Sequence, residues 1–238
     1  MIPKIVWQTY KDPYDILTPY MYSAIETWKK LNPEYEYKYM DDKQAGEFVL
    51  QEFGQDWYDL FINLPVGVMR GDVWRYMIIY KYGGVYADLD TECLKPISSW
   101  MLEDKSFIVC PENEIHFCQW TFAAEAGHPI LKKVLDLIKE RISNPKYHEQ
   151  HFVHSHTGPA VWTDGISISL ELNLKNIIED FNLINDSEKA KLYKFHCYGG
   201  EKWRIFHFES VKHIYGSQRW NDGNYVQWIE DPLVKGKR

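Results

Sequence analysis

The sequence predicts an α/β fold, a wound sheet flanked by helices in a single domain covering residues 1–238. Three observations predict it. The chain opens with a strand–helix–strand unit, the building block of such sheets. A helix then ends on Gly83-Gly84 and feeds an apolar strand that runs into two aspartates. Finally, 238 residues with a 45% hydrophobic composition can fill one large core and leave little room for a second.

Each element follows from local pattern. Lys4 to Thr9 is short, apolar and β-branched, as buried strands are. Over residues 14–31, Leu17, Tyr20, Met21, Ala24, Trp28 and Leu31 recur at spacings of three and four, which predicts an amphipathic helix ended by Asn32-Pro33. Tyr35 to Met40 alternates aromatic and charged residues and reads as a strand, after which Asp41-Asp42 offers an N-cap to a helix through Phe53. A helix over 68–82 stops at Gly83-Gly84, and Val85-Tyr86-Ala87 is the strand that follows. Further strands are expected at Phe107 to Cys110 and Phe117 to Ala124. Pro129 then opens a helix with Leu131, Val134, Leu135, Ile138 and Ile142 on one face. Residues 143–157, polar and His-rich, read as a long loop of the kind that carries function or moves. A helix over 158–171 and short strands near 192–196 and 205–214 complete the chain, with no repeat or linker.

Composition removes several function classes. A formal net charge of −7 argues against a nucleic-acid binder, which needs a basic footprint, although one small anion can be held by a locally placed metal or a few cations. Ten Trp and seventeen Tyr suit surfaces that stack on bases or sugar rings, and equally suit core packing. Cys93, Cys110, Cys118 and Cys197 form no CxxC pair and no zinc-spaced cluster, so reduced thiols are expected. No apolar run approaches the ~18–20 residues of a membrane span, and the first residues lack a signal peptide's apolar region. A cytoplasmic protein is the expectation, and nothing in the patterning prescribes an oligomeric state.

The chemistry centres on Asp88 and Asp90. In open α/β sheets ligands gather where the chain leaves the C-terminal end of a strand. Two carboxylates at i and i+2 there converge on one ion if the backbone turns, and hard cations such as Mg²⁺ or Mn²⁺ prefer that oxygen environment. On the preceding helix Asp72 and Arg75 lie three apart and share a face. Alone they read first as a solvated ion pair worth little, the functional alternative being a carboxylate for sugar hydroxyls beside a guanidinium for phosphate or the carboxylates.

Met69-Arg70-Gly71-Asp72-Val73-Trp74-Arg75-Tyr76, leading into Tyr82-Gly83-Gly84-Val85-Tyr86-Ala87-Asp88-Leu89-Asp90, resembles the DXD sugar-binding segment of glycosyltransferase family 32. That family is typified by fungal initiating α-1,6-mannosyltransferases and is similar to the large clostridial glucosylating toxins. Ile2-Pro3-Lys4-Ile5-Val6-Trp7-Gln8 matches its first strand, and His156-Thr157-Gly158-Pro159 through Thr163-Asp164 its T-G-P…T-D segment. His213 through Trp220 is similar to its terminal His…Trp block. The resemblance runs in family order over residues 2–220.

It implies a GT-A (Rossmann-like) mixed sheet and a divalent metal, Mn²⁺ or Mg²⁺. It also implies a nucleotide-sugar donor, GDP-mannose or a UDP-hexose, a glycan or small hydroxyl acceptor, and retention at the anomeric carbon. Carried over by position, Trp7 stacks on the donor base, Asp72 and Arg75 contact the sugar, and Asp88 touches ribose or sugar hydroxyls and bridges to the metal. Asp90 and His213 ligate the metal, and Arg219 lies near the diphosphate. His154, His156 and Asp164 are candidates for acceptor contacts. The chain departs from the family at Phe117-Cys118-Gln119-Trp120, where an Asn is common; Gln119 is the substitute on offer. Two competing readings share part of this evidence. A metal-dependent nucleotide-sugar hydrolase uses the same carboxylate logic, and an aromatic-rich carbohydrate-binding module explains the Trp and Tyr content but not the D-x-x-R…D-x-D spacing.

Overall fold

The computed structural model describes residues 1–144 and 152–198, together with the backbone of 211–213. Its main sheet has six strands: β1 (Ile5–Thr9), β2 (Glu36–Met40), β3 (Gly84–Ala87), β5 (Phe107–Val109), β6 (Thr121–Ala124) and β7 (Phe195–Cys197). They lie in the order β2-β1-β3-β6-β5-β7. β1 is parallel to β2 and β3, β6 is antiparallel to β3 and β5, and β7 is parallel to β5. The sheet is therefore mixed, as expected. A separate ribbon pairs β4 (Thr91–Cys93) with β8 (Val211–His213) in antiparallel register.

Strand alternation sends residues to two cores. Trp7, Tyr86, Phe107 and Phe122 point to one face, where they meet Trp74, Tyr76 and Trp162 of the helices α4 (Gly67–Tyr82) and α7 (Pro159–Leu170). Val6, Val85, Ala87, Ile108 and Ala123 point to the other, against Trp28 of α1 (Pro19–Leu31) and Trp100. Both faces are covered, so the strands read as continuous apolar runs. α4 is the central element. From Asp72 to Ile79 every residue is buried, so the middle of this helix is enclosed on all sides, while its ends at Gly67 and Lys81-Tyr82 are exposed. It ends at Gly83, whose φ of 68° suits glycine, and a Cβ there would come within 2.8 Å of Ala126 N and Pro3 Cδ.

Several local expectations needed correction. The helix predicted over 14–31 starts only at Pro19; Tyr14–Ile16 forms a 3₁₀ turn instead. Proline at the first helical position holds Thr18 extended, and the Thr18 hydroxyl caps the new start by accepting from Met21 N at 3.3 Å. α2 (Asp42–Phe53) begins as predicted, with Asp41 and Gln44 forming a reciprocal capping box. α3 (Gln55–Ile62) lies where the sequence suggested no element. The strand expected from Phe117 is regular only from Thr121, Phe117 making an isolated bridge to Pro111. Pro129 opens α5 (Pro129–Ser143) as predicted. Within the loop read over 143–157, Phe152–His156 is the helix α6, and 145–151 lie outside the described residues. Past α7, α8 (Phe181–Asp186) and α9 (Glu188–Leu192) add two short helices before β7. The four cysteines are free thiols and buried. Among the described residues no helix is long and apolar enough to cross a membrane.

Candidate functional site

The site is assembled where β3 leaves the sheet. Asp88 follows the last residue of β3, and the chain turns at once: Thr91 donates back to the Asp88 carbonyl from its backbone N at 3.2 Å and from its hydroxyl at 2.6 Å. Asp88 N donates to Trp120 O at 2.8 Å. This turn sets Asp88 and Asp90 on one short loop, both partly exposed.

Behind it sits a buried charge cluster. Arg75 is 5% exposed, and its Nη2 lies 3.1 Å from Asp72 Oδ1 and 3.2 Å from Asp88 Oδ1. Its Nη1 donates to Gln119 O at 3.2 Å, and its guanidinium stands 4.9 Å from the centre of the Tyr86 ring. Tyr86, two residues before Asp88 on β3, donates its hydroxyl to Asp88 Oδ1. One guanidinium thus faces two carboxyl groups. The ambiguity of the Asp72–Arg75 pair is resolved: it is buried, because α4 is buried.

Asp72 is 2% exposed and is reached by two side chains besides Arg75. Thr157 Oγ1 donates to its Oδ2 at 2.9 Å, and Gln119 Nε2 approaches Oδ1 at 3.4 Å. The Tyr76 hydroxyl orients this arrangement by donating to Gln119 Oε1 at 2.5 Å, and it also lies 3.0 Å from Thr157 O. Gln119 therefore does stand in the site, and the T-G-P segment reaches it through Thr157.

Burial pushes the Asp72 carboxyl up to about 7, although Arg75 and Thr157 pull the other way. Arg75 is desolvated as deeply, yet Asp88 first, then Tyr86 and Asp72, hold it well above its ordinary value. Because folding raises the proton affinity of Asp72, its contribution to stability is complete below the ordinary carboxylate pKa of about 4 and disappears as pH rises through about 7. The stability advantage of the metal-free protein over Asp72→Asn should therefore shrink between those two pH values. Paired thermal melts measure it; an advantage that grows with pH contradicts the burial argument.

The other residues singled out from the sequence fare differently. His213 closes β8, and its backbone lies directly across from Thr91, the residue after Asp90. Its side chain and all of Arg219 lie outside the described residues. Trp7 is a correction. It is 2% exposed, its Nε1 donates to Gly83 O at 3.0 Å at the opposite end of β3, and its ring stacks on Tyr82 and sits under Lys38 Nζ. A base could stack on it only if these neighbours left, so Trp7 is a core residue. His156 is fully buried, with Nδ1 2.8 Å from Phe152 O, which removes it from acceptor contact. His154 instead meets His116, Nε2 to Nε2 at 3.0 Å, and Asp164 pairs with Arg141. Gln119 apart, the sequence reading missed Tyr76 and Tyr86. The signal was present for both: Tyr76 is one helical turn from Asp72, and Tyr86 shares a strand face with Asp88.

Two cavities of about 320 Å³ lie away from this cluster, one lined by Ser106, His128 and Lys194, the other by Thr163, Asp164 and Ser167. Chemistry rather than cavity size marks the site. Hard carboxylate oxygens on a partly exposed turn suit Mg²⁺ or Mn²⁺. Among the described residues no group of three or more His, Cys, Asp and Glu side chains is placed to hold a metal ion.

Comparison with known proteins agrees with the geometry. Residues 19–107 match the family described as glycosyltransferase sugar-binding region containing DXD motif. The chain is 31% identical over 194 residues to the initiation-specific alpha-1,6-mannosyltransferase of Schizosaccharomyces pombe, covering 69% of this chain and 48% of that one. It is 38% identical over 101 residues to mannosyl phosphorylinositol ceramide synthase SUR1 of Saccharomyces cerevisiae, covering 39% of this chain and 24% of the relative. It spans about half the length of the initiation-specific mannosyltransferases it matches. Among solved structures, PaToxG Glycosyltransferase has a TM-score of 0.54 at 17% identity, covering 96% of this chain and 86% of that one, a likeness of fold. Residues 19–107 thus match the glycosyltransferase sugar-binding region containing the DXD motif, in a chain with a glycosyltransferase-like fold and a sequence similar to fungal mannosyltransferases.

Proposed function

We propose that this chain transfers a hexose from a nucleotide-diphosphate sugar to a hydroxyl acceptor, with retention at the anomeric carbon and with Mn²⁺ or Mg²⁺ bound. The observation that carries the reading is the Asp88–Asp90 turn set beside the buried Asp72–Arg75 pair. Mannose is the favoured sugar, hence GDP-mannose as donor, because two relatives with different acceptors in their names share mannose. UDP-glucose and UDP-galactose are the competing donors. A glycan or a small hydroxyl compound is the acceptor.

The difficulty in glycosyl transfer is charge: the diphosphate leaves as an anion while the sugar becomes cationic. Asp88 and Asp90, with His213 by the family resemblance, would hold a divalent ion, which when bound would supply positive charge at the diphosphate in place of an acid. By the family resemblance alone, Arg219 would add a further cation near the diphosphate. Asp72, enclosed with partners on both oxygens, would accept a sugar hydroxyl when one of those partners gives way, which would fix the ring against the leaving bond. Arg75 keeps Asp72 and Asp88 in register and limits their mutual repulsion. Thr157 and Gln119, both bonded to Asp72, hold its carboxylate in place.

Incubation with GDP-mannose, UDP-glucose and UDP-galactose, with Mn²⁺ or EDTA and with or without mannose-terminated acceptors, tests this reading. Acceptor-stimulated release of GDP that stops in EDTA is the expected result. Release indifferent to acceptor favours a nucleotide-sugar hydrolase, and sugar binding without release favours a carbohydrate-binding module.

A further inference from the structure

We infer that Gln8 is a positioning residue for the metal-binding turn: its side-chain amide, oriented by the Tyr37 hydroxyl, anchors the Asp88 carbonyl to the sheet. The inference rests on the proposed role of Asp88 and Asp90 as ligands.

Gln8 is the fourth residue of β1 and is fully buried. A buried amide must satisfy both its ends, or it costs stability. Its Nε2 donates to Asp88 O at 3.0 Å, and its Oε1 accepts from Tyr37 Oη at 2.8 Å. The orientation follows from chemistry. A backbone carbonyl only accepts, so the NH₂ end of Gln8 must face Asp88. The oxygen end then faces Tyr37, whose hydroxyl must donate. Burial pushes the Tyr37 phenol far above its ordinary value, so that proton stays in place. The chain Tyr37→Gln8→Asp88 has one direction and spans three elements: β2, β1 and the exit of β3.

The Asp88 carbonyl also accepts from Thr91 N and Oγ1, but those bonds close the turn upon itself. Gln8 ties that oxygen to the neighbouring parallel strand, and Asp88 N is tied to Trp120 on the other side. The first residue of the turn is thus clamped from both flanks. Placement matters here because ligands on rigid elements hold geometry better than ligands on free loops, and a shift of about 1 Å can cost roughly 10²-fold in rate.

The test uses Gln8→Met, which keeps length and loses both hydrogen bonds, and Tyr37→Phe, which keeps the ring and loses only the orienting hydroxyl. Mn²⁺ affinity is measured by calorimetry in the presence of GDP or UDP, together with thermal melts. Gln8→Met should weaken Mn²⁺ binding tenfold or more. Tyr37→Phe should weaken it in the same direction by less, and the double variant should be no weaker than Gln8→Met, because both changes cut one chain. If Gln8→Met folds poorly, a Tyr37→Phe protein with wild-type Mn²⁺ affinity overturns the inference. Unchanged affinity in both variants overturns it while leaving the proposed function standing. A wild-type protein that binds no Mn²⁺ with either nucleotide overturns both.

Discussion

Asp90→Ala should abolish sugar transfer, by a factor on the order of 10²–10³ or more, while leaving the melt of the metal-free protein nearly unchanged. The loss follows from electrostatics. The charge that develops on the departing diphosphate needs a fixed positive partner, and Asp90 is a proposed direct ligand of that partner. The stability is spared for a local reason. Asp90 sits on a partly exposed turn that Thr91 closes by donating its backbone N and its hydroxyl to the Asp88 carbonyl. Substitutions of that kind usually change stability by within about 0.5 kcal/mol, or about 1–2 °C for a chain of this size. Steady-state assays over a Mn²⁺ series and a melt in EDTA are the measurements. A midpoint lowered by more than about 5 °C would assign Asp90 to the scaffold instead.

Arg75→Met should give the opposite balance, losing both activity and stability. Arg75 is enclosed with Asp72 and Asp88 and also satisfies Gln119 O. Removing one partner of a buried ion pair strands the other in a poor solvent, at a cost of about 3–5 kcal/mol. For a domain of this length that corresponds to a fall on the order of 10 °C in the melting midpoint. Arg75→Lys is not a conservative replacement, because one ammonium cannot reproduce the planar fork that reaches Asp72, Asp88 and Gln119 together. The cause is separable from lost packing. Burial already holds the Asp72 carboxyl up to about 7 with Arg75 beside it, and higher without it, so adding Asp72→Asn to Arg75→Met should recover more of the midpoint at alkaline than at acid pH, without restoring transfer. A double variant no more stable than Arg75→Met would mean that lost packing, not the uncompensated carboxylate, causes the fall.

Much of the sheet was legible because its cues are local. Lys4 to Thr9 is a buried strand by composition, Asp41-Asp42 is a helix start by capping chemistry, and Gly83-Gly84 is a helix end by backbone freedom. The misjudged start of α1 was also local. Leu17 fits the helical period, but Pro19 fixes the residue before it as extended, and that constraint outweighs periodicity. α3 escaped because Gln55 to Ile62 is short and lacks a side-chain N-cap. Phe117 to Thr121 looked like strand because apolar residues continue through it, whereas only part of that run finds a ladder partner.

The residues of the site divide along the same line. Asp88 and Asp90 could be named from one dimension by their place at a strand exit, and Asp72 and Arg75 through the resemblance of the D-x-x-R…D-x-D segment to a known family. Whether Arg75 is solvated or enclosed could not, because burial of α4 depends on what other segments place over it. Trp7 shows the same limit in reverse: an aromatic on the first strand is compatible with a base platform until Tyr82 and Lys38 are found against its ring. Thr157 and Gln8 reach Asp72 and Asp88 from 85 and 80 residues away. Hydrogen bonds of that span leave no period or motif in the chain; they exist because the sheet order brings β1 beside β3 and packs the start of α7 against α4.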